Sequence, residues 1–208
     1  MLPKRSILHN ALLLTAIDLL LRGAAMAFQV YLSSRAGAVG LGLLQLVTAV
    51  GALAMTLGLS GARTAAMYLC AEEYGKRRFA GVRRAMELCI LWGAVCSCAA
   101  AAALRLLAGT LARVWIRDAR ATSGLRVLAI SLPLRCYVSI LSGYFTASGR
   151  VRRLALVEVA EQISSILFTF LLLLRADGAE QVCRAILLGG LAASGVSGVW
   201  LTRLLYRD

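Results

Sequence analysis

The chain has 208 residues, of which 60% are hydrophobic and only 16% are charged. Soluble domains contain about 45–50% apolar and about 25% charged residues, so this composition excludes an ordinary soluble enzyme and predicts a chain that lies in lipid. The net charge of +13 does not indicate a nucleic-acid partner, because aromatic residues make up only 7% and the arginines lie between apolar runs.

Six apolar stretches are long enough to cross a membrane, for which a helix needs about 20 residues. They cover residues 10–33, 39–58, 87–107, 124–147, 154–174 and 185–206. Because only short connections remain, residues 1–208 are predicted to form a single all-α lobe of six transmembrane helices. The basic N-terminus followed by an apolar run is also typical of a signal peptide, but the run continues past Asp18 and Arg22, which favours a retained first helix.

Lysine and arginine are distributed unevenly between the two sides of this lobe. The side that holds both termini carries twelve, whereas the opposite side carries eight. By the positive-inside rule, both termini are predicted to be cytoplasmic. Residues 71–85 contain five of the twelve and are interpreted as an anchor for anionic lipid headgroups, with a specific partner site as the alternative.

Six charged residues lie within or beside the spans, where each costs roughly 2.5–3.5 kcal/mol to insert. They are three acids and three arginines: Asp18, Arg22, Arg63, Arg135, Glu158 and Glu161. Their charges sum to zero, which is typical of interhelical ion pairs, and the first two lie one helical turn apart. The set is equally typical of a transport path, since a substrate can compete for an ion pair.

The fifth span has one polar face, because Glu158, Glu161 and Gln162 follow one another at i+3 and i+4 spacing. Such a face is predicted to point into the bundle interior or an aqueous cleft. In the fourth span, Pro133 is predicted to kink the helix near Arg135, or is simply tolerated in a packed helix.

Glycines end the second span in the segment Gly58-Leu59-Ser60-Gly61. This segment can break the helix beside Arg63 and expose backbone groups to an anion, or it can simply end the helix. The glycines do not form a phosphate-binding loop, because an apolar helix and not a strand surrounds them.

No enzymatic chemistry is indicated by the residues. The chain has one histidine and six cysteines without a CxxC pair, so no metal site is predicted and the cysteines are interpreted as small apolar packing residues. No nucleophile lies beside a base, and no cofactor motif is present in the sequence. The chain is therefore predicted to transport or bind a ligand.

Several segments resemble polysaccharide and lipid-linked oligosaccharide flippases, most closely the stage V sporulation protein B branch. They are NALLL at 10–14, LRG at 21–23, GAVGLGLLQL at 37–46, GLSGAR at 58–63, AEE at 71–73, GYFTASG at 143–149 and EVAEQI at 158–163. The resemblance extends over nearly the whole chain, although its motifs are degenerate and none is catalytic.

The resemblance implies the multidrug and oligosaccharidyl-lipid exporter superfamily, in which two six-helix lobes form a V-shaped cavity with alternating access. It also implies a polyprenyl-pyrophosphate substrate. In lipid II flippases of that superfamily, cavity arginines on the first and second helices hold the pyrophosphate, and Arg22 and Arg63 are similar to them in position. Arginine suits this role because its guanidinium binds phosphate bidentately. With six spans instead of twelve to fourteen, the chain resembles the N-terminal lobe alone, and a second lobe or a second copy is the expected partner.

The predicted function is that of a bacterial inner-membrane flippase lobe for lipid-linked peptidoglycan, polysaccharide or spore-cortex precursors. The predicted substrate-binding residues are Arg22, Arg63 and Arg135, and the predicted coupling or ion-pair residues are Asp18, Glu158, Glu161 and Gln162. One alternative is a cation-coupled multidrug exporter, in which the carboxylates carry the coupling ion. Another is a truncated lobe that serves as a membrane partner subunit without transporting.

Overall fold

A computed structural model describes residues 4–59, 61–76, 78–174 and 179–207, without the side chains of residues 4–14, 18, 35, 36, 38, 39, 57–59, 79, 179, 206 and 207. The described residues are almost entirely helical and include no β-strand. The prediction of an all-α chain is confirmed.

The described part of the chain forms six α-helices. They are α1 (Lys4–Leu59), α2 (Ala62–Gly75), α3 (Phe79–Thr110), α4 (Ala121–Ala147), α5 (Val151–Leu173) and α6 (Ala179–Arg207). A π-helical turn, Leu111–Trp115, extends the C-terminal end of α3.

Helix α1 consists of two limbs joined at Gly37, whose φ of 66° and ψ of 174° are not helical. A positive φ favours glycine because a Cβ would clash with the backbone. Leu21 and Met55 line the same cavity although a straight helix would separate them by about 50 Å. The two limbs therefore fold back on each other, which separates the first two predicted spans.

The second limb of α1 and α2 together pack along α4. Gly51 lies against the Leu128 side chain, and the start of α2 lies against Gly143. Positions 128 and 143 are about 22 Å apart along a helix. Helix α2 thus continues along α4 past the segment where the sequence predicted a break or an end.

The helices extend beyond the apolar spans at their polar ends. Residues 71–85, expected as a connection, instead contain the end of α2 and the start of α3. Basic and acidic side chains favour this helical extension, because Lys76 pairs with Glu72 at 2.6 Å and Arg83 with Glu87 at 3.1 Å, each at i,i+4 spacing.

Helix α4 forms the centre of the lobe and takes part in two apolar clusters. In the first, Leu125 and Leu132 pack with residues of α1, α3 and α6. In the second, Ile140 and Phe145 pack with residues of α2, α3, α5 and α6. Pro133 lies inside α4, which remains helical on both sides of it.

Five described helices or helix segments are long and apolar enough to cross a membrane by length and composition. They are Thr15–Ser34, Ala80–Trp115, Ala121–Ala147, Val151–Leu173 and Glu180–Leu205. A shorter apolar segment, Gly40–Thr56, lies in the second limb of α1. Large apolar side chains such as Trp92 and Leu106 are exposed on α3, as expected for a surface in lipid.

Candidate functional site

A cavity of about 640 Å³ lies between α1, α2, α4, α5 and α6. Its volume falls within the roughly 300–1,000 Å³ that is typical of small-molecule sites. Six of the seven site residues predicted from the sequence line it: Arg22, Arg63, Arg135, Glu158, Glu161 and Gln162. The seventh, Asp18, has a side chain that lies outside the described residues.

Arg22 reaches the cavity from the first limb of α1, next to Leu21 and Ala25. Its side chain is exposed, as is that of Glu158 on α5. Neither residue is without an interaction partner. The first limb of α1 therefore forms one wall of the cavity.

Arg63 enters the cavity from the first turn of α2. Helix α1 ends at Leu59, Gly61 has a φ of 100°, and α2 begins at Ala62. The sequence left open whether the glycines break the helix or end it, and the structure has a break after which the helix resumes. Arg63 thus lies at the N-terminus of α2, where unpaired backbone N–H groups and the helix dipole favour negative charge.

Gly143 fixes the position of this first turn of α2. A Cβ at Gly143 would lie 2.6 Å from the Arg63 carbonyl oxygen, a distance that real Cβ atoms essentially never show. Only glycine allows α4 to approach the α2 backbone this closely. The approach places Arg63 beside the α4 residues Ser139 and Ser142, which also line the cavity.

Arg135 projects from α4 towards α6. Its guanidinium lies against Gly190, where an added Cβ would be 3.3 Å from Arg135 Nη2. Because the glycine has no side chain, the guanidinium occupies space that any other residue would restrict. Gly190 therefore positions Arg135 in the cavity wall.

Helix α5 turns its polar face towards the cavity, as the spacing of Glu158, Glu161 and Gln162 predicted. The Ser194 hydroxyl of α6 donates a hydrogen bond of 3.0 Å to Glu161 Oε1. This bond holds the Glu161 carboxylate between α5 and α6 and joins the two helices.

Sequence reasoning missed Ser194 and Gly190. Both lie in the segment 189–198, GGLAASGVSG, which is rich in small residues and from which Gly190, Ala193 and Ser194 line the cavity. Small residues at helical spacing are a signal for close helix contact in membranes, although they do not identify the helix that is contacted.

Three arginines and two glutamates thus surround one space, which gives the described lining a formal charge of +1. Water-filled or shielded cavities of this kind are where membrane proteins tolerate ionised side chains. Among the described residues, no group of three or more His, Cys, Asp or Glu side chains is placed to hold a metal ion.

Comparison with known proteins identifies the family of this chain. The family model MatE matches residues 16–174, which is more than half of the chain. The chain belongs to the MatE family. Members of this family are transporters and not enzymes. No curated protein sequence matches the MatE chain.

Solved structures of MATE transporters match the MatE chain over its whole length. A crystal structure of MATE in the bent conformation is 20% identical with a TM-score of 0.81, and the match covers 100% of this chain and 48% of that chain. An outward-facing multidrug resistance MATE family transporter of the MOP superfamily is 20% identical with a TM-score of 0.80, covering 99% and 48% of the two chains. An inward-facing transporter of the same description is 20% identical with a TM-score of 0.78, covering 99% and 49%.

The MatE chain therefore has the fold of one lobe of a MATE transporter and spans about half the length of the solved structures it matches. Its apolar helices and its family make it a multi-pass membrane protein. The predicted MATE-like relationship is confirmed by the family model.

Proposed function

We propose that this chain is one lobe of a flippase that moves a lipid-linked oligosaccharide or peptidoglycan precursor, with the polyprenyl pyrophosphate bound in the charged cavity. The observation that carries the proposal is the convergence of Arg22, Arg63 and Arg135 on one space of about 640 Å³. Three guanidinium groups can bind a pyrophosphate through bidentate, charge-assisted hydrogen bonds.

The positions of two of the arginines support binding of an anion. Arg63 lies at a helix N-terminus, and Arg135 is held against Gly190. Glu161 is engaged by Ser194, so its carboxylate is directed towards the α5–α6 contact. The lining charge of +1 leaves an attraction for a polyanionic headgroup.

Removal of the cavity arginines tests this proposal. The full chain in lipid nanodiscs is titrated with a polyprenyl pyrophosphate, and Arg22→Ala or Arg63→Ala is expected to weaken binding about 10- to 150-fold, because a charge-assisted contact contributes about 1.5–3 kcal/mol. Lys76→Ala, at an exposed position outside the cavity, is the matched control. Equal losses in all three variants would indicate nonspecific surface attraction and would contradict the proposal.

A second candidate function is a cation-coupled multidrug exporter, favoured by the multidrug resistance transporters among the structural matches. Here the carboxylates Glu158 and Glu161, together with Asp18, would carry the coupling proton or ion. This candidate predicts binding of an organic cation that Glu161→Gln abolishes and Arg22→Ala does not. The two functions thus make opposite demands on the same cavity.

Transport further requires a second lobe or a second copy of this chain. Alternating access needs two bundles that move around a central site, and the described lobe supplies one. The exposed side chains of Arg22, Arg63, Arg135 and Glu158 would otherwise meet lipid, at a cost of several kcal/mol. Purified chain that is strictly monomeric yet flips a fluorescent lipid-linked pyrophosphate would contradict this requirement.

The proposed location is the bacterial inner membrane with both termini in the cytoplasm. The uneven distribution of lysine and arginine supports this orientation. Reporter fusions at residues 78, 121, 151 and 178 are expected to alternate, beginning in the cytoplasm. A periplasmic signal at residue 78 would reverse the assignment.

A further inference from the structure

A second cavity, of about 1,220 Å³, lies between α4 and α6, with Phe168 of α5 also in its lining, and shares no lining residue with the charged cavity. Its α6 residues include Gly195 and Val199, whereas the charged cavity uses Gly190 and Ser194. At 100° per residue these two sets lie on opposite faces of the helix. The space is therefore separate from the proposed transport site.

This cavity continues along the membrane-spanning part of α6. A third space of about 680 Å³ shares Leu134, Phe168 and Ala192 with it and reaches Leu188. From Leu188 to Leu204 the two spaces follow α6 for about 24 Å, which is most of a ~30 Å hydrocarbon core. We call the two spaces together the α4–α6 groove.

Glycines keep the α4–α6 groove open. A Cβ at Gly195 would lie 3.9 Å from Leu134 Cδ2, and one at Gly198 would lie 3.5 Å from Val138 Cγ2, so both glycines face α4. A larger side chain at either position would extend into the space between the two helices. The groove therefore depends on small residues that face the neighbouring helix.

The two ends of the groove differ in chemistry. Around Leu188 the lining is entirely apolar, with Leu171 and Leu191 nearby. At the other end lie the exposed Arg203 and the pair of Tyr137 Oη and Thr202 Oγ1, whose oxygens are 2.8 Å apart. Among the described lining residues, Arg203 is the charged one, and no carboxylate accompanies it.

The polar end of the groove lies at the edge of the membrane-spanning part of α6, which ends at Leu205. Trp200, 43% exposed, lines the groove one turn before Arg203. Tryptophan and arginine are favoured at the membrane–water boundary, the level at which lipid headgroups lie. The groove thus has a cation, Arg203, at the level of the lipid headgroups, and its apolar part extends from there along α6 towards Leu188.

We infer that the α4–α6 groove binds an anionic phospholipid, with the headgroup on Arg203 and one acyl chain lying along α6. The groove is longer than half of the hydrocarbon core, so a chain that enters beside Arg203 remains inside it. The absence of acidic side chains from the described lining favours an anionic over a zwitterionic headgroup. This lipid would be a resident ligand and not the transported substrate.

Quenching of Trp200 fluorescence by brominated lipids tests the inference. The full chain carrying Trp92→Phe and Trp115→Phe retains Trp200 as its single tryptophan and is reconstituted into phosphatidylcholine vesicles that contain phosphatidylglycerol as the minor lipid. In one sample the phosphatidylglycerol is brominated, and in the other an equal mole fraction of the phosphatidylcholine is brominated. Brominated phosphatidylglycerol is expected to quench Trp200 fluorescence as strongly as a lipid whose concentration around Trp200 is about fivefold above its average in the bilayer. One arginine beside an anionic headgroup accounts for an enrichment of this size.

Two pairs of variants localise the effect. Arg203→Gln is expected to remove the preference for phosphatidylglycerol, whereas Arg84→Gln, at an exposed position on α3, is expected to keep it. Gly195→Leu fills the groove and is expected to reduce quenching by both lipids, whereas Gly109→Leu, which has open space around it, is expected to leave quenching unchanged.

Three results would overturn the inference. Equal quenching by the two lipids would mean that the groove face is merely solvated by lipid. An equal loss of preference in Arg203→Gln and Arg84→Gln would indicate general attraction to basic residues. Absence of quenching by either lipid would mean that a protein segment or a second copy of the chain covers the groove.

Discussion

Replacement of Gly143 by alanine tests whether α2 is held against α4 as closely as the structure indicates. The new Cβ would lie 2.6 Å from the Arg63 carbonyl oxygen and 3.4 Å from both Ala66 Cβ and Met67 N. A backbone oxygen cannot rotate away as a flexible side chain can. We therefore expect Gly143→Ala to displace the first turn of α2.

The magnitude follows from two opposing effects. Overpacking of a close contact costs about 1–3 kcal/mol, whereas glycine to alanine within a helix gains up to about 1 kcal/mol. Because the clash involves backbone, we expect a net loss of about 1–2 kcal/mol in the free energy of unfolding. Gly109→Ala, with nothing within 4 Å of its new Cβ, should instead stabilise by up to about 1 kcal/mol.

Thermal unfolding of the two variants in identical nanodiscs, followed by tryptophan fluorescence, measures this difference. About 1–3 kcal/mol separates the variants, and each kcal/mol corresponds to about 2–4 °C in Tm for a chain of this size. Gly143→Ala should also weaken polyprenyl-pyrophosphate binding, because it moves Arg63. Equal Tm values for the two variants would refute the close approach of α2 to α4.

Three further outcomes are expected. Gly190→Ala should weaken pyrophosphate binding by displacing the Arg135 guanidinium, with little change in Tm, since a flexible side chain can move. Burial raises the pKa of Tyr74 to about 12, and the Tyr74 hydroxyl donates a 3.1 Å hydrogen bond to the Tyr144 hydroxyl of α4. Because Tyr74→Phe removes this hydrogen bond, it should lower the free energy of unfolding by about 1 kcal/mol in thermal unfolding. The hydrogen bond from Lys76 lowers the pKa of Glu72, so the small stabilisation by this pair is present above the carboxyl's ordinary pKa and lost as pH falls through the lowered one. Unfolding of Glu72→Gln as a function of pH should lack that acid dependence.

The sequence by itself determined the environment of the chain and the helical nature of its segments. An apolar run of about 20 residues has one stable solution in lipid, because a helix satisfies its own backbone hydrogen bonds. Ionised residues inside such runs must also be shielded from lipid. The joint lining of one cavity by Arg22, Arg63, Arg135, Glu158 and Glu161 agrees with this requirement, which depends on residue type and position alone.

Only the tertiary structure decided which helices meet and at which residues. Three contacts join positions that are far apart in the chain. They are the approach of α4 to α2 at Gly143, the contact of Arg135 with Gly190 and the hydrogen bond from Ser194 to Glu161. The same small residues would permit contact with several helices, because close packing in lipid depends on the fit of two whole surfaces and not on a local pattern. The sequence could therefore name the charged residues of the cavity but not the glycines and the serine that position them.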